Sequence, residues 1–164
     1  MDLLRHFHSL ARYNRIANER LYEACGQLSD EEYRKTRQGS FGSIHALLNH
    51  VLLGDRIWLS RFEGEGKTTP ALNTVLFEDF GELRKARVLQ DAAIENFFAN
   101  ADPAFLTRSL DYRNSRGVDR SDSPLLAIPH FFNHQTHHRG QVHVMLSQTP
   151  VKPPSLDMHW ILSP

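Results

Sequence analysis

Five histidines crowd one stretch of the chain: His130, His134, His137, His138 and His143. In a helix each residue advances by about 100°, so positions three and four apart share a face. His134 and His138 would stand one turn apart, and two imidazoles at that spacing can reach a single ion. The same geometry serves the two histidines of H-E-x-x-H metal sites. Here the segment reads His134-Gln135-Thr136-His137-His138, with no glutamate in second position, so a zincin-type hydrolase is not expected. On a helical wheel His134 and His138 share a stripe with Ala127, Phe131, Val142 and Met145, which should face a core. His143 and Arg139 fall toward the opposite side. His130 and His137 flank the stripe, which makes His130/His134 a rival pair. Two half-buried histidines satisfied by hydrogen bonds explain the same spacing.

A third imidazole changes that balance. The helical neighbours of His50 are Ala46, Leu47, Leu53, Gly54 and Ile57, nearly all apolar or small. A polar ring left unpaired there would cost about 1–3 kcal/mol. It needs a partner, and a metal ion is a suitable one; a core histidine satisfied by hydrogen bonds is the alternative. Gly54, one turn on, leaves room beside the ring. Three neutral imidazoles on one ion would leave coordination positions open, as catalytic sites do and closed structural sites do not. All-histidine ligation suits zinc, nickel, iron or copper, and spacing does not choose among them.

Other polar residues can be weighed in the same way. Asn49, Asp55, Gln141 and Asp157 are candidates for setting the histidine tautomers. Asp55 falls within the apolar arc of its helix, yet reads more simply as a capped or paired surface carboxylate. Cys25 closes the first helix, where the helix dipole raises a thiol pKa, so it is read as packing rather than as a nucleophile. Trp58 and Trp160 are expected in the core or in a site wall. Arg139 is expected at the surface, with anion binding near the site as its functional alternative.

The elements that must carry these residues follow from periodicity. Leu3, Phe7, Leu10, Tyr13, Ile16, Ala17, Leu21 and Ala24 predict a first helix over 3–25, stopped by Gly26. Ser29 and Glu32 form a capping box for a short helix. Ser43 caps a second long helix over about 43–62, and a linker of low periodicity over 63–76 follows. A third long helix over about 77–100 has an apolar face of Phe80, Leu83, Ala86, Val88, Leu89, Ala92, Ala93, Ile94, Phe97 and Phe98. Residues 104–121 alternate enough to predict a small hairpin turning at 113–117. Asp122 or Ser123 then caps the histidine helix, with Pro124 in its first turn and Pro129 expected to kink it or delay its start. The proline-containing tail from Pro150 to Pro164 is expected to pack as an extended segment. Four long amphipathic helices with long connections predict an all-α four-helix bundle, in one domain spanning 1–164.

Composition excludes several classes. The chain has 164 residues, 40% of them hydrophobic and 23% charged, as expected of an ordinary globular domain. Lys plus Arg equals Asp plus Glu, and no basic run stands out, so neither nucleic acid nor an anionic membrane is an expected partner. With one cysteine there is no intramolecular disulfide and no cysteine-rich metal site. No window approaches the roughly 18 apolar residues of a membrane span, and Met1 to His6 lacks the pattern of a signal peptide. A cytoplasmic location is expected.

Two of these segments carry a resemblance. Ser43-Ile44-His45-Ala46-Leu47-Leu48-Asn49-His50-Val51 and Asn133-His134-Gln135-Thr136-His137-His138-Arg139-Gly140-Gln141 resemble the two histidine helices of the DinB-like (DNA-damage-inducible) family of bacterial metalloenzymes. Pro153-Pro154-Ser155-Leu156-Asp157 is similar to that family's proline-containing end. The resemblance implies a four-helix bundle with a metal near one end, held by His50, His134 and His138. Zinc or nickel would be the first choice, with iron, copper and manganese as alternatives. It also implies a homodimer and a small-molecule substrate, since related bundles include mycothiol-dependent isomerases and bacillithiol transferases. A thiol-dependent S-transferase or isomerase is thus the leading expectation, and a non-catalytic, stress-related metal- or ligand-binding bundle is the alternative.

Overall fold

Each long helix begins where a side chain takes over N–H groups that a first turn leaves unpaired. In the computed structural model of the chain, Asp2 caps α1 (Leu3–Cys25) and Ser29 caps the short α2 (Asp30–Arg34). Ser43 caps α3 (Ile44–Glu63), Asp79 caps α4 (Phe80–Asn100) and Ser123 caps α5 (Pro124–Leu146). Residues 2–66 and 70–163 are described; Met1, residues 67–69 of the expected linker and Pro164 of the tail lie outside them. Gly64 ends α3 in a left-handed conformation, φ 85°, that a side chain would disfavour. Pro129 neither delays nor divides α5, which runs unbroken from Pro124.

The four long helices form the bundle. Helix α1 packs chiefly on α4 and α5, and α3 packs on α5 and α4. Thus α1 and α3 are diagonal to each other, as are α4 and α5. The two diagonal connections are long and carry structure of their own. One holds α2; the other holds a 3-10 turn (Pro103–Thr107) and a hairpin of β1 (Leu110–Arg113) and β2 (Asp119–Asp122). The strands pair antiparallel with Leu110 opposite Asp122 and Arg113 opposite Asp119, as the alternation predicted. The tail is extended until a last short helix, α6 (Met158–Leu162). It is tied down by Tyr13, whose hydroxyl donates to the Leu156 carbonyl at 2.8 Å, and by Arg20, which donates to that of Ser155 at 3.1 Å. Among the described residues no helix is long and apolar enough to cross a membrane.

The core is not continuous hydrocarbon. One apolar cluster gathers Leu21, Ile44, Leu48, Leu83 and Leu146; another gathers Phe7, Phe62, Ile94, Phe98 and Phe131. Between them lie Asn14, Asn18, Asp55, Arg87, Asp91, Gln135 and Arg139, all buried. Arg87 stands 2.5 Å from Asp55 and 2.8 Å from Asp91, bridging α3 and α4. Asn18 donates to Asp91 at 2.9 Å, and Arg139 donates to Asn14 and Asn18, which ties α5 to α1. Burial opposes the charge on Arg87, but Asp91 and Asp55 outweigh it and hold the guanidinium above its ordinary pKa.

This layer overturns three expectations. Asp55 is a buried ion-pair partner and not a surface carboxylate, and Arg139 is 3% exposed instead of solvated. The inward face of α4 is rotated, because Arg87 and Asp91 point inward and leave Val88 and Leu89 at 54% and 72% exposure. The charges were hidden from a hydrophobicity pattern because Asp55, Asn14 and Asn18, which share in compensating them, stand far away in sequence, although Arg87 and Asp91 are only four residues apart.

Removing one member of such a pair leaves a buried uncompensated charge, so Arg87→Met should lower the unfolding free energy by about 3–5 kcal/mol. The exposed Lys85, paired with Glu82 at 2.8 Å, is the control; Lys85→Met should stay within about 0.5 kcal/mol. Urea denaturation of both variants checks this, and equal costs would contradict the account of the polar layer.

Candidate metal centre

His50 on α3 and His134 and His138 on α5 meet where these two helices pack. One ring nitrogen from each lies within 4.8 Å of the others. The Nε2 atoms of His50 and His134 are 3.2 Å apart. Two nitrogens bound tetrahedrally at about 2.0–2.1 Å from one zinc ion would stand about 3.3 Å apart, so the separation fits a shared ion.

Hydrogen bonds decide which nitrogens point inward. His50 Nδ1 lies 2.8 Å from the carbonyl of Leu72, and His138 Nδ1 lies 2.8 Å from Oε1 of Gln141. A carbonyl oxygen only accepts, so both Nδ1 atoms carry the proton and both Nε2 atoms present a lone pair. Burial lowers the pKa of all three rings, and His134 is pushed down to about 3 by burial and by its histidine neighbours. All three are neutral at pH 7. Such a cluster repels a further proton on each ring and suits a shared cation.

The surroundings hold the rings in place. Phe41, in the turn before α3, stacks on His50 with centroids 3.9 Å apart and meets His138 edge-on at 5.6 Å. Gly54 proves to make room for His134 across the groove and not for His50. A Cβ at residue 54 would come 2.9 Å from Cε1 of the His134 ring. Asn49 is fully buried and pins the linker, accepting from the N–H groups of Leu76 and Phe77 at 2.9 Å each. That linker delivers the Leu72 carbonyl to His50.

Of the four candidate partners, only Gln141 touches a ring of the cluster through its side chain. Asn49 serves the linker, Asp55 serves Arg87, and Asp157 caps α6. His130 and His137 are exposed flanks: His130 packs on Trp58 with centroids 5.2 Å apart, and His137 contacts Gln141. Trp58 stands beside the site, whereas Trp160 is 73% exposed and belongs to neither core nor site. Cys25 is buried, its thiol pushed up to about 12 by desolvation, which fits packing. Sequence reasoning missed Phe41 and the Leu72 carbonyl. A backbone oxygen in a segment without periodicity leaves no signal in residue type.

A cavity of about 490 Å³ opens beside the rings, bordered by His50, His134, Trp58 and Arg61 and by the hairpin turn. The molecule is thus a helical bundle with three convergent imidazoles opening on a cavity. The chain belongs to the DinB family, whose family model matches residues 3–164. It is 30% identical over 149 residues to Protein DinB of Bacillus subtilis (strain 168), which covers 85% of this chain and 83% of that protein.

Gly54→Ala separates the site from the fold. Alanine is the better helix former by roughly 0.5–1 kcal/mol, so thermal stability without metal should hold or rise. The His134 ring must move, so zinc affinity measured by calorimetry should fall by about tenfold or more. Unchanged zinc affinity would mean that His134 does not contribute.

Proposed function

We propose that His50, His134 and His138 hold one divalent ion through their Nε2 atoms. The bundle then acts on a small molecule admitted by the adjoining cavity, with a low-molecular-weight thiol as co-substrate. The observation that carries this reading is the orientation of the rings. Two carbonyl acceptors, one from the linker and one from Gln141, turn the lone pairs of His50 and His138 toward the point that His134 also faces. Three protein ligands and an open cavity are the mark of a catalytic site.

An ion bound there lowers the pKa of a coordinated water or thiol and acts as a Lewis acid. The chain's own residues do the rest. Leu72 and Gln141 fix the tautomers, Phe41 covers one side of the His50 ring, and the cavity side stays open to a ligand. No carboxylate lines this cavity among the described residues, so metal-assisted hydrolysis would lack a carboxylate general base. That favours a reaction needing only an activated nucleophile, such as S-transfer or a thiol-dependent isomerisation. Zinc or nickel is the preferred ion for an all-imidazole set. The non-catalytic alternative is favoured by a pocket that admits only water, and a cavity of about 490 Å³ is larger than that. A homodimer is part of the reading on the strength of the family resemblance.

Calorimetric titration with zinc and nickel should give one ion per chain. His50→Ala, His134→Ala and His138→Ala should each weaken binding by about a hundredfold, while His130→Ala stays within about threefold. The zinc-loaded protein should then consume bacillithiol, mycothiol or glutathione in the presence of an aryl halide acceptor. Binding without turnover for every thiol would leave the non-catalytic reading; no binding of either metal would remove the proposal altogether.

A further inference from the structure

The cavity beside the histidines does not end at Trp58. That ring stands between two others, 5.8 Å from Tyr112 of β1 and 5.2 Å from His130 of α5, centroid to centroid and edge-on to both. All three side chains border the metal-side cavity and also a second concavity of about 270 Å³, completed by Leu126 and Ala127 of α5 and Asp122 of β2. The two are lobes of one groove with a shared aromatic divider. His130 lies one helical turn from His134, their ring centroids 6.4 Å apart, so the outer lobe is within a small molecule's length of the metal-side rings.

The outer lobe offers a ligand no charge. Its described lining holds no lysine or arginine, and its one carboxylate is already balanced. Asp122 accepts from the Tyr112 hydroxyl at 2.6 Å and from Arg120 at 2.9 Å. The Tyr112 hydrogen bond, with Arg120 and Arg61 beside it, holds that carboxyl below the usual carboxylate range. What remains for a ligand is ring surface from Trp58 and Tyr112 and hydrocarbon from Leu126 and Ala127.

Leu126 is placed against the local rule. It stands third in a helix capped by Ser123, the position where a glutamate closes a capping box. The chain uses glutamate there in two other helices, Glu32 after Ser29 and Glu82 after Asp79. In α5 the place goes to a leucine that is 67% exposed, which gains little by burial in the fold and forgoes the favourable carboxylate. Such local conflicts concentrate at functional surfaces.

We infer that Trp58, Tyr112, Leu126 and Ala127 form a subsite for the neutral aryl or alkyl body of a small molecule, whose reactive end passes His130 to reach the metal-side lobe. This names the acceptor class for the preceding reading and rests on it for the chemistry, but the binding itself needs no metal.

The test uses 4-iodobenzyl alcohol, a neutral aryl probe whose iodine quenches an indole on contact, with the metal-free protein. The chain has two tryptophans, and Trp160 is 73% exposed, so Trp160→Phe leaves Trp58 as the reporter. Quenching should saturate. Leu126→Glu should weaken the probe by about tenfold or more, because a carboxylate would be desolvated against the ring. It should not lower thermal stability, since it completes the Ser123 capping box. Leu125→Glu, at the neighbouring exposed leucine outside the lobe, should change binding by less than about twofold. Quenching that never saturates, or that both variants alter equally, would overturn the subsite. Saturable, Leu126-dependent quenching in a protein that takes up neither zinc nor nickel would uphold the subsite while the metal reading falls. Zinc uptake without such quenching would remove the subsite and leave the metal reading standing.

Discussion

Asp55, Arg87, Asp91 and Arg139 are buried where an unpaired charge would cost several kcal/mol, so each can be there only if the others are in place. That mutual requirement fixes how the helices stand against one another. Helix α3 contributes Asp55, α4 contributes Arg87 and Asp91, α1 contributes Asn14 and Asn18, and α5 contributes Gln135 and Arg139. A slip of one residue in any helix would leave a charge stranded in the core. Hydrocarbon clusters above and below supply the bulk of the burial, but they tolerate small shifts that the polar layer does not.

The histidine cluster inherits its geometry from that layer. Gln135 and Arg139 directly follow His134 and His138, about 100° further around α5. When the first pair faces the bundle axis, the second must face the groove beside α3. On α3, His50 and Asp55 divide the same two duties. The linker completes the arrangement from outside, since Asn49 holds its backbone and Leu72 turns the His50 ring. Desolvation then keeps the three rings neutral, so the lone pairs are available near neutral pH.

Much of this was legible in residue order, for identifiable reasons. Helix boundaries were marked by Ser29, Ser43 and Ser123, whose side chains act locally, whereas the Asp79 cap of α4 went unread. The His134/His138 pair was visible because four residues make one turn, and His50 because its neighbours are apolar. What stayed hidden depends on partners far along the chain. Arg139 reads as a surface residue until Asn14, 125 positions away, is known to accept from it. Val88 and Leu89 read as core until Arg87 and Asp91 are seen to take the inward face. Trp160 sits in an aromatic-poor tail that packs through backbone carbonyls, so its ring stays outside.

The convergence of the three imidazoles is tested most directly by X-ray absorption at the zinc edge of the metal-loaded protein. A first shell at about 2.0–2.1 Å with the multiple-scattering signature of three imidazoles, completed by one light non-protein ligand, is the predicted result. A shell with one imidazole or none, or one dominated by carboxylate oxygen or sulfur, would contradict the assignment of His50, His134 and His138 as a common site.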